Sequence, residues 1–407
     1  MNPTLIRGLW AGRTLALLGI LLVAANLRTA VAALSPIVLA ISVDIPLGAL
    51  AIGVLGMLPP VCFAAFGIFT PVFTRRIGLE RVVVVALIAI LAGHLLRGSA
   101  GSLTWLIGGS IVTFAGLGAG NVLLPPLVKK YFPDRVGLVT SLYVTVLSVS
   151  TLVPPLVAVP VADAAGWRVS LGMWMIPALL ALVPWATMLV RHRMSQSAPP
   201  AVPEAEPVLL ARIGRSSIAW AIAVVFGTSS LNAYALFAWL PLMLTQTAGI
   251  SPGQAGTLLS LYAAVGLPCA LVVPWLAVRM KNLSLLIYVG MFAFIAGDVG
   301  LLLAPGTLTV LWVLLAGLGP LYFPLALVLI NLRTRTHEGS VALSGFVQSV
   351  GYILGALGPL VVGVLHRLTG GWSWPIWFLI ATALAVGFAA RVIARPHLLE
   401  DDLDRSR

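Results

Sequence analysis

The side chains able to do chemistry in this chain sit inside apolar runs. In "VAANLRTAVAAL" (23–34), Arg28 stands near the centre of a run from about Thr14 to Ile41. A guanidinium keeps its proton there, and burying it is expensive. What it offers in return is a fixed positive charge with a planar fork of donors, suited to a small anion. Other polar groups recur inside other apolar runs: Asn121, Asn232, Tyr234 and Tyr322, then Gln348 and Tyr352. The last two are four apart and so share a helix face. With Arg28 they form a candidate set of solute contacts, because a binding site needs a few fixed polar groups in an otherwise apolar cavity.

Each candidate has a packing alternative. Asn121 and Asn232 suit interhelical hydrogen-bonding glue, and Tyr322, like Trp239, suits a packing aromatic. Arg28 itself could bond helix-end carbonyls. His94 and Asp298 invite a proton-relay reading, but both fall near the outer ends of their runs and are assigned structural or interfacial roles. Cys62 and Cys269 lie in separate apolar runs and read as small packing residues. P-loop, dinucleotide and metal-ligand spacings are missing from the sequence, which disfavours soluble-enzyme chemistry and ATP-driven transport.

The elements that must position these groups follow from composition. The chain has 407 residues, 60% hydrophobic and 9% charged, whereas a soluble domain carries roughly a quarter charged residues. Apolar runs of spanning length lie near 14–41, 47–73, 82–98, 103–127, 136–161 and 169–190. A second set lies near 217–245, 253–278, 283–304, 307–332, 341–366 and 373–393. A helix needs roughly 20 residues to cross the hydrocarbon core, so twelve spans are expected. Arg7 and Arg13 precede the first run as in a signal peptide, but its apolar core is too long and an uncleaved first helix is expected. The net charge of +12 is read as topological rather than as a nucleic-acid surface. Of the 24 Lys and Arg, 20 fall on one side; Arg97, Arg168 and Arg367 are assigned to the opposite loops, and Arg28 is the remaining one. Excess positive charge marks the cytoplasmic side, which puts both termini there.

The proline- and alanine-rich segment 191–216 reads as a flexible cytoplasmic linker between a six-helix half, 1–190, and a second half with a short tail, 217–407. The halves repeat each other. Pro155 pairs with Pro359 and His94 with Asp298, both at an offset of 204, and Pro36 pairs with Pro241 at 205. Two six-helix bundles related in parallel around a central path are a transporter architecture.

On these residues a family can be named. "NLRTAV", "GNVLLPPLVKKYFPDR" and "LSGFVQSVGYILGALGPL" resemble the cyanate-porter branch of the major facilitator superfamily, which includes cyanate permeases and 2-nitroimidazole exporters. The resemblance implies an all-α membrane protein of twelve helices in two pseudo-symmetric bundles. It also implies alternating access, with spans 1, 4, 7 and 10 lining the path. The superfamily signature after span 2 is altered: "PVFTRRIGLER" keeps Arg76, Gly78 and Arg81, but Arg75 replaces the acidic residue and Glu80 stands where a basic one is usual. A substitute cytoplasmic clasp would draw on Arg76, Glu80, Arg81 and Asp134.

The expectation is therefore a secondary transporter of a small polar or anionic solute, with Arg28 as the main charge contact. Its partners would be that solute, a coupling proton or counter-anion, and the bilayer of a bacterial cytoplasmic membrane. No cofactor, no nucleic acid and a monomeric state are expected. An exporter of small nitroheterocycles or drugs is the runner-up. A membrane-embedded sensor or enzyme is the reading from another class, and it would need an output domain or a catalytic constellation, neither of which is found.

Overall fold

Twelve helices long and apolar enough to cross a membrane are present in the computed structural model, which describes residues 13–192, 213–395 and 398–405. They run Thr14–Asp44, Ala49–Ile77, Leu79–Gly98, Leu103–Tyr131, Val136–Ala165 and Trp167–Val190. The second set runs Ser217–Thr247, Pro252–Arg279, Ser284–Leu303, Thr309–Leu332, Ala342–Thr369 and Ser373–Ile393. Expected and observed ends agree within four residues. The larger misses fall where a helix outlasts its apolar run. Span 2 continues through Arg75 and Arg76, and span 4 through Lys129 and Lys130. Long basic side chains reach back to water while favouring the negative end of the helix dipole. Residues 193–212, most of the expected linker, and Arg7 lie outside the described residues.

Local sequence sets several boundaries. Ser102, Ser216 and Thr336 each accept a bond from a backbone N–H three residues on, at the starts of spans 4, 7 and 11. Ser251 and Gln254 form a reciprocal capping box with Pro252 in the first turn of span 8. Gly166 and Gly370 turn the chain after spans 5 and 11 at φ of +87° and +67°, a region L side chains rarely adopt. They are themselves 204 residues apart, so the repeat places a glycine of positive φ at the same point of each half.

The chain packs as two compact units. One holds Met1–Ala33 and Ala65–Ala201; the other holds Leu34–Ala64 and Val202–Arg407. This departs from the expected division into 1–190 and 217–407, because the second half of span 1 and the first half of span 2 join the later helices. The reason is close approach through glycine. A Cβ at Gly53 would meet the Pro359 carbonyl at 3.0 Å, and one at Gly56 would meet the Ala238 and Pro359 side chains at 2.7 and 2.8 Å. Gly363 packs in turn on the Ala49 carbonyl. Val38 and Ile52 therefore belong to the same buried core as Phe226, Trp239 and Tyr322.

In the first unit, spans 3 and 4 interlock through Gly93, Gly109 and Gly116; a Cβ at Gly116 would come 2.5 Å from the Ala86 carbonyl. In the second, spans 7 and 11 interlock along Gly351, Gly355 and Gly358, which face Phe226, Ser230 with Tyr234, and Leu231. Lipid tails are as apolar as leucine, so helix association in a membrane relies on such backbone-close contacts. The side chains left on the outside, including Ile88, Val183, Trp275, Phe292 and Phe388, are large and apolar, as a lipid-facing surface requires.

Candidate functional site

Span 1 is not one continuous helix, and Arg28 stands at its break. An α-helix runs Thr14–Asn26, a four-residue turn of helix follows at Thr29–Ala32, and a 3-10 turn Ser35–Ile37 leads into Val38–Asp44. Arg28 adopts φ −121° and ψ −9° at the joint, 14 residues after Thr14 and 16 before Asp44. Nearby polar side chains bond the backbone on the approach to the break: Asn26 Nδ2 donates to Leu22 O at 2.7 Å, and Thr29 Oγ1 to Asn26 O at 2.9 Å. Arg28 is half-buried and interacts with other groups of the chain.

On span 4, Asn121 is half-buried and donates to Leu117 O at 3.0 Å. Leu27 fits the hole at Gly120, where a Cβ would come 2.6 Å from Leu27 Cδ2. Arg28 and Asn121 each follow one partner of that contact, so spans 1 and 4 carry them at one level. An arginine and an amide at that level supply donors to an anion, and the amide oxygen can accept from a neutral solute.

In the second unit, Tyr234, Gln348 and Tyr352 are half-buried on spans 7 and 11. Tyr352 meets the Phe63 and Phe226 rings edge-on at centroid distances of 6.2 and 5.5 Å. Tyr234 packs against Gly355, and Gln348 Nε2 donates to Ser344 Oγ at 2.8 Å. Phe63 and Phe226 were not among the candidates from sequence. They lie in apolar runs like many other aromatics, and only packing distinguishes them.

Two expected contacts are committed elsewhere. Asn232 is fully buried and donates to Thr228 O and to Thr382 Oγ1 of span 12, both at 3.0 Å. Tyr322 is fully buried and donates from its hydroxyl to Ile287 O of span 9 at 3.0 Å. Both act as glue between helices, as their packing alternatives had it. Trp239 likewise donates to Pro359 O at 2.9 Å and stacks on His366.

His94 and Asp298 are buried inside their bundles, with His94 Nδ1 on Leu171 O at 3.2 Å. Asp298 Oδ2 and the hydroxyl of nearby Tyr262 have no hydrogen-bond partner among the described residues. Arg97 corrects the loop assignment. It is 0% exposed, within span 3 and one turn from His94. That spacing puts both on one helix face, a signal available in the sequence.

At the basic end of the first unit, Glu80 Oε1 accepts from Lys130 Nζ at 2.5 Å and from Tyr131 Oη at 2.6 Å. Asp134 takes Arg13 at 2.7 Å and Arg135 at 3.7 Å. Its carboxyl is held below the usual carboxylate range by a hydrogen bond from its own backbone first, then by the Arg13 guanidinium. Arg76 and Arg81 are exposed and have no ion-pair partner among the described residues. The partners Lys130, Tyr131 and Arg13 lie 50, 51 and 121 residues from the acids they meet, beyond any local pattern.

The sequence pattern of the Major Facilitator Superfamily matches residues 16–319. The chain is 34% identical over 371 residues to a 2-nitroimidazole transporter of Escherichia coli (strain K12), covering 89% of this chain and 91% of that one. It is 25% identical over 381 residues to a cyanate transport protein of the same organism, covering 91% and 95%. The crystal structure of a D-xylose–proton symporter superposes with a TM-score of 0.73 at 13% identity, over 95% of this chain and 98% of that one, which bears on fold alone. The resemblance to the cyanate-porter branch and the twelve-helix fold both stand.

Proposed function

The chain belongs to the Major Facilitator Superfamily, a family of membrane transporters, and on that premise we propose that it moves a small polar or anionic solute by alternating access, with Arg28 as the main charge contact. The observation that carries this reading is the half-buried guanidinium at the break of span 1, level with Asn121. A charge at mid-membrane is retained at a cost that a stabilising role alone explains poorly. Tyr234, Gln348 and Tyr352 are the further contacts offered by spans 7 and 11. The membrane is the cytoplasmic membrane of a bacterium, with both termini inside and a monomeric working unit. Glu80 with Lys130 and Tyr131, and Asp134 with Arg13, serve as cytoplasmic clasps in place of the altered signature. An anion moving inward works against a negative-inside potential, about 2.3 kcal/mol per charge per 100 mV. Uptake would therefore need a symported proton or an exchanged anion.

A second reading is supported by the higher identity to the 2-nitroimidazole transporter and by the aromatic edges of Phe63, Phe226 and Tyr352. In it the solute is a small nitroheterocycle, moved outward. Reconstituted protein separates the two. With Arg28→Ala, half-saturation for labelled cyanate should rise about ten- to a hundredfold, the value of a hydrogen bond to a charged group. 2-Nitroimidazole movement should change by less than threefold. Unchanged cyanate transport in that variant overturns the anion reading.

A further inference from the structure

Arg97 is fully enclosed, and among the described residues no carboxylate neutralises it. Its Nη2 donates to Ala30 O at 3.4 Å, and its guanidinium carbon lies 5.7 Å from the centroid of the Phe114 ring. Nε and Nη1 have no hydrogen-bond partner among the described residues. A buried cation in that setting is costly, and an apolar side chain of equal volume would stabilise the bundle as well or better. Stability is thus a poor reason for an arginine here.

The Ala30 carbonyl supplies another reason. Within span 1 the backbone ladder lapses after Ala33 N–H bonds Thr29 O, and the next bond in the chain is Ile37 N–H to Leu34 O. Leu34 N–H does not reach Ala30, and Pro36 has no N–H to give to Ala32. Ala30 O is therefore an acceptor that the break left open, two residues beyond Arg28. Gly109 makes room for the donor, since a Cβ there would stand 2.9 Å from Arg97 N and 3.2 Å from its Cγ.

We propose that Arg97 is a positioning residue: by holding the open Ala30 carbonyl at the break of span 1, it sets the height and direction of the Arg28 guanidinium toward the solute. This rests on the reading that Arg28 meets an anion. Arg97 itself touches no solute and acts through the four-residue segment Thr29–Ala32. The neighbouring His94 shares its face and holds Leu171 O, so span 3 grips span 6 with one side chain and the broken span 1 with the other.

A double-mutant cycle on the full-length chain in liposomes tests this, with labelled cyanate as probe. Half-saturation is read both from uptake and from the cyanate dependence of the melting temperature, because a ligand that binds the folded state raises it. Arg97→Met should raise half-saturation about tenfold in the native background, with maximal rate within threefold. In the Arg28→Ala background the same change should alter it less than twofold, since residues acting through one another are non-additive. Arg97→Lys, which keeps charge and a donor, should restore half-saturation to within threefold of native. Arg97→Gln runs the same cycle with an uncharged donor, so a Met variant that does not fold leaves the comparison intact. Equal effects in both backgrounds, or a loss confined to melting temperature, would assign Arg97 to packing and overturn the proposal. An Arg28→Ala variant with native half-saturation is a different outcome: it removes the anion reading itself, and this inference falls with it.

Discussion

The Glu80 clasp allows a magnitude to be worked from the structure. One carboxylate oxygen receives the Lys130 ammonium and the Tyr131 hydroxyl, with side-chain exposures of 10% for Glu80 and 25% for Lys130. Exposed pairs contribute about 0.2–1 kcal/mol, while removing one partner of a fully buried pair costs about 3–5. Glu80 and Lys130, mostly but not fully buried, lie between those limits. The amide of Glu80→Gln can still accept from Tyr131, so about 2 kcal/mol is expected, from the lost charge and the stranded ammonium. At about 2–4 °C per kcal/mol for a unit of this size, the melting temperature in detergent should fall by about 4–8 °C. A cycle with Lys130→Met should return a coupling of about 1–2 kcal/mol, and Tyr131→Phe alone should cost about 1. The assay is thermal unfolding of purified protein followed by size-exclusion fluorescence. The same variants would be scored for transport, where a clasp should change maximal rate more than half-saturation. If the Glu80 and Lys130 changes add within 0.5 kcal/mol, as independent sites do, the pair contributes nothing as a unit and the reasoning fails.

Three further outcomes follow from other contacts. Gly358→Ala drives a methyl into the Leu231 carbonyl and should cost about 1–3 kcal/mol, whereas Gly345→Ala, with open space beyond it, should be neutral or stabilise by up to about 1; comparative melting of the two variants checks both. Thr382→Val removes the partner of Asn232 and should lower stability by about 1 kcal/mol while leaving half-saturation for cyanate unchanged, and a large change there would return Asn232 to the solute contacts. Asp134 carries a lowered carboxyl pKa, so its contribution is complete above about 3.9, the unfolded value, and is lost as pH falls through the lower folded one; melting of Asp134→Asn against native protein should differ at pH 6 and converge at the acid end, and a constant gap would refute the link.

Much of the molecule was legible in the order of its residues. Apolar run length, loop arginines and the 204-residue offset carried the twelve spans and the two-part repeat, because a bilayer imposes one requirement on every span and the sequence meets it locally. Arg28, too, could be singled out unaided, since a charge in a long apolar run needs an explanation wherever it points. Direction was not legible. Asn121 and Asn232 look alike in sequence, yet one lies half-buried on its own helix and the other joins span 12, because a helix face acquires meaning only from the helix packed against it. Arg97 shows the same limit: a basic residue near a span end reads as a loop charge until Gly109 is seen to admit it and Ala30 to receive it. The second half of span 1 and the first half of span 2 joined the later helices, through Gly53 and Gly56 against Pro359, contacts made across roughly 300 residues of chain. Length and hydropathy determine that a helix spans; the fit of glycine against backbone, which no local pattern encodes, decided which helices hold each other and which polar groups are buried between them.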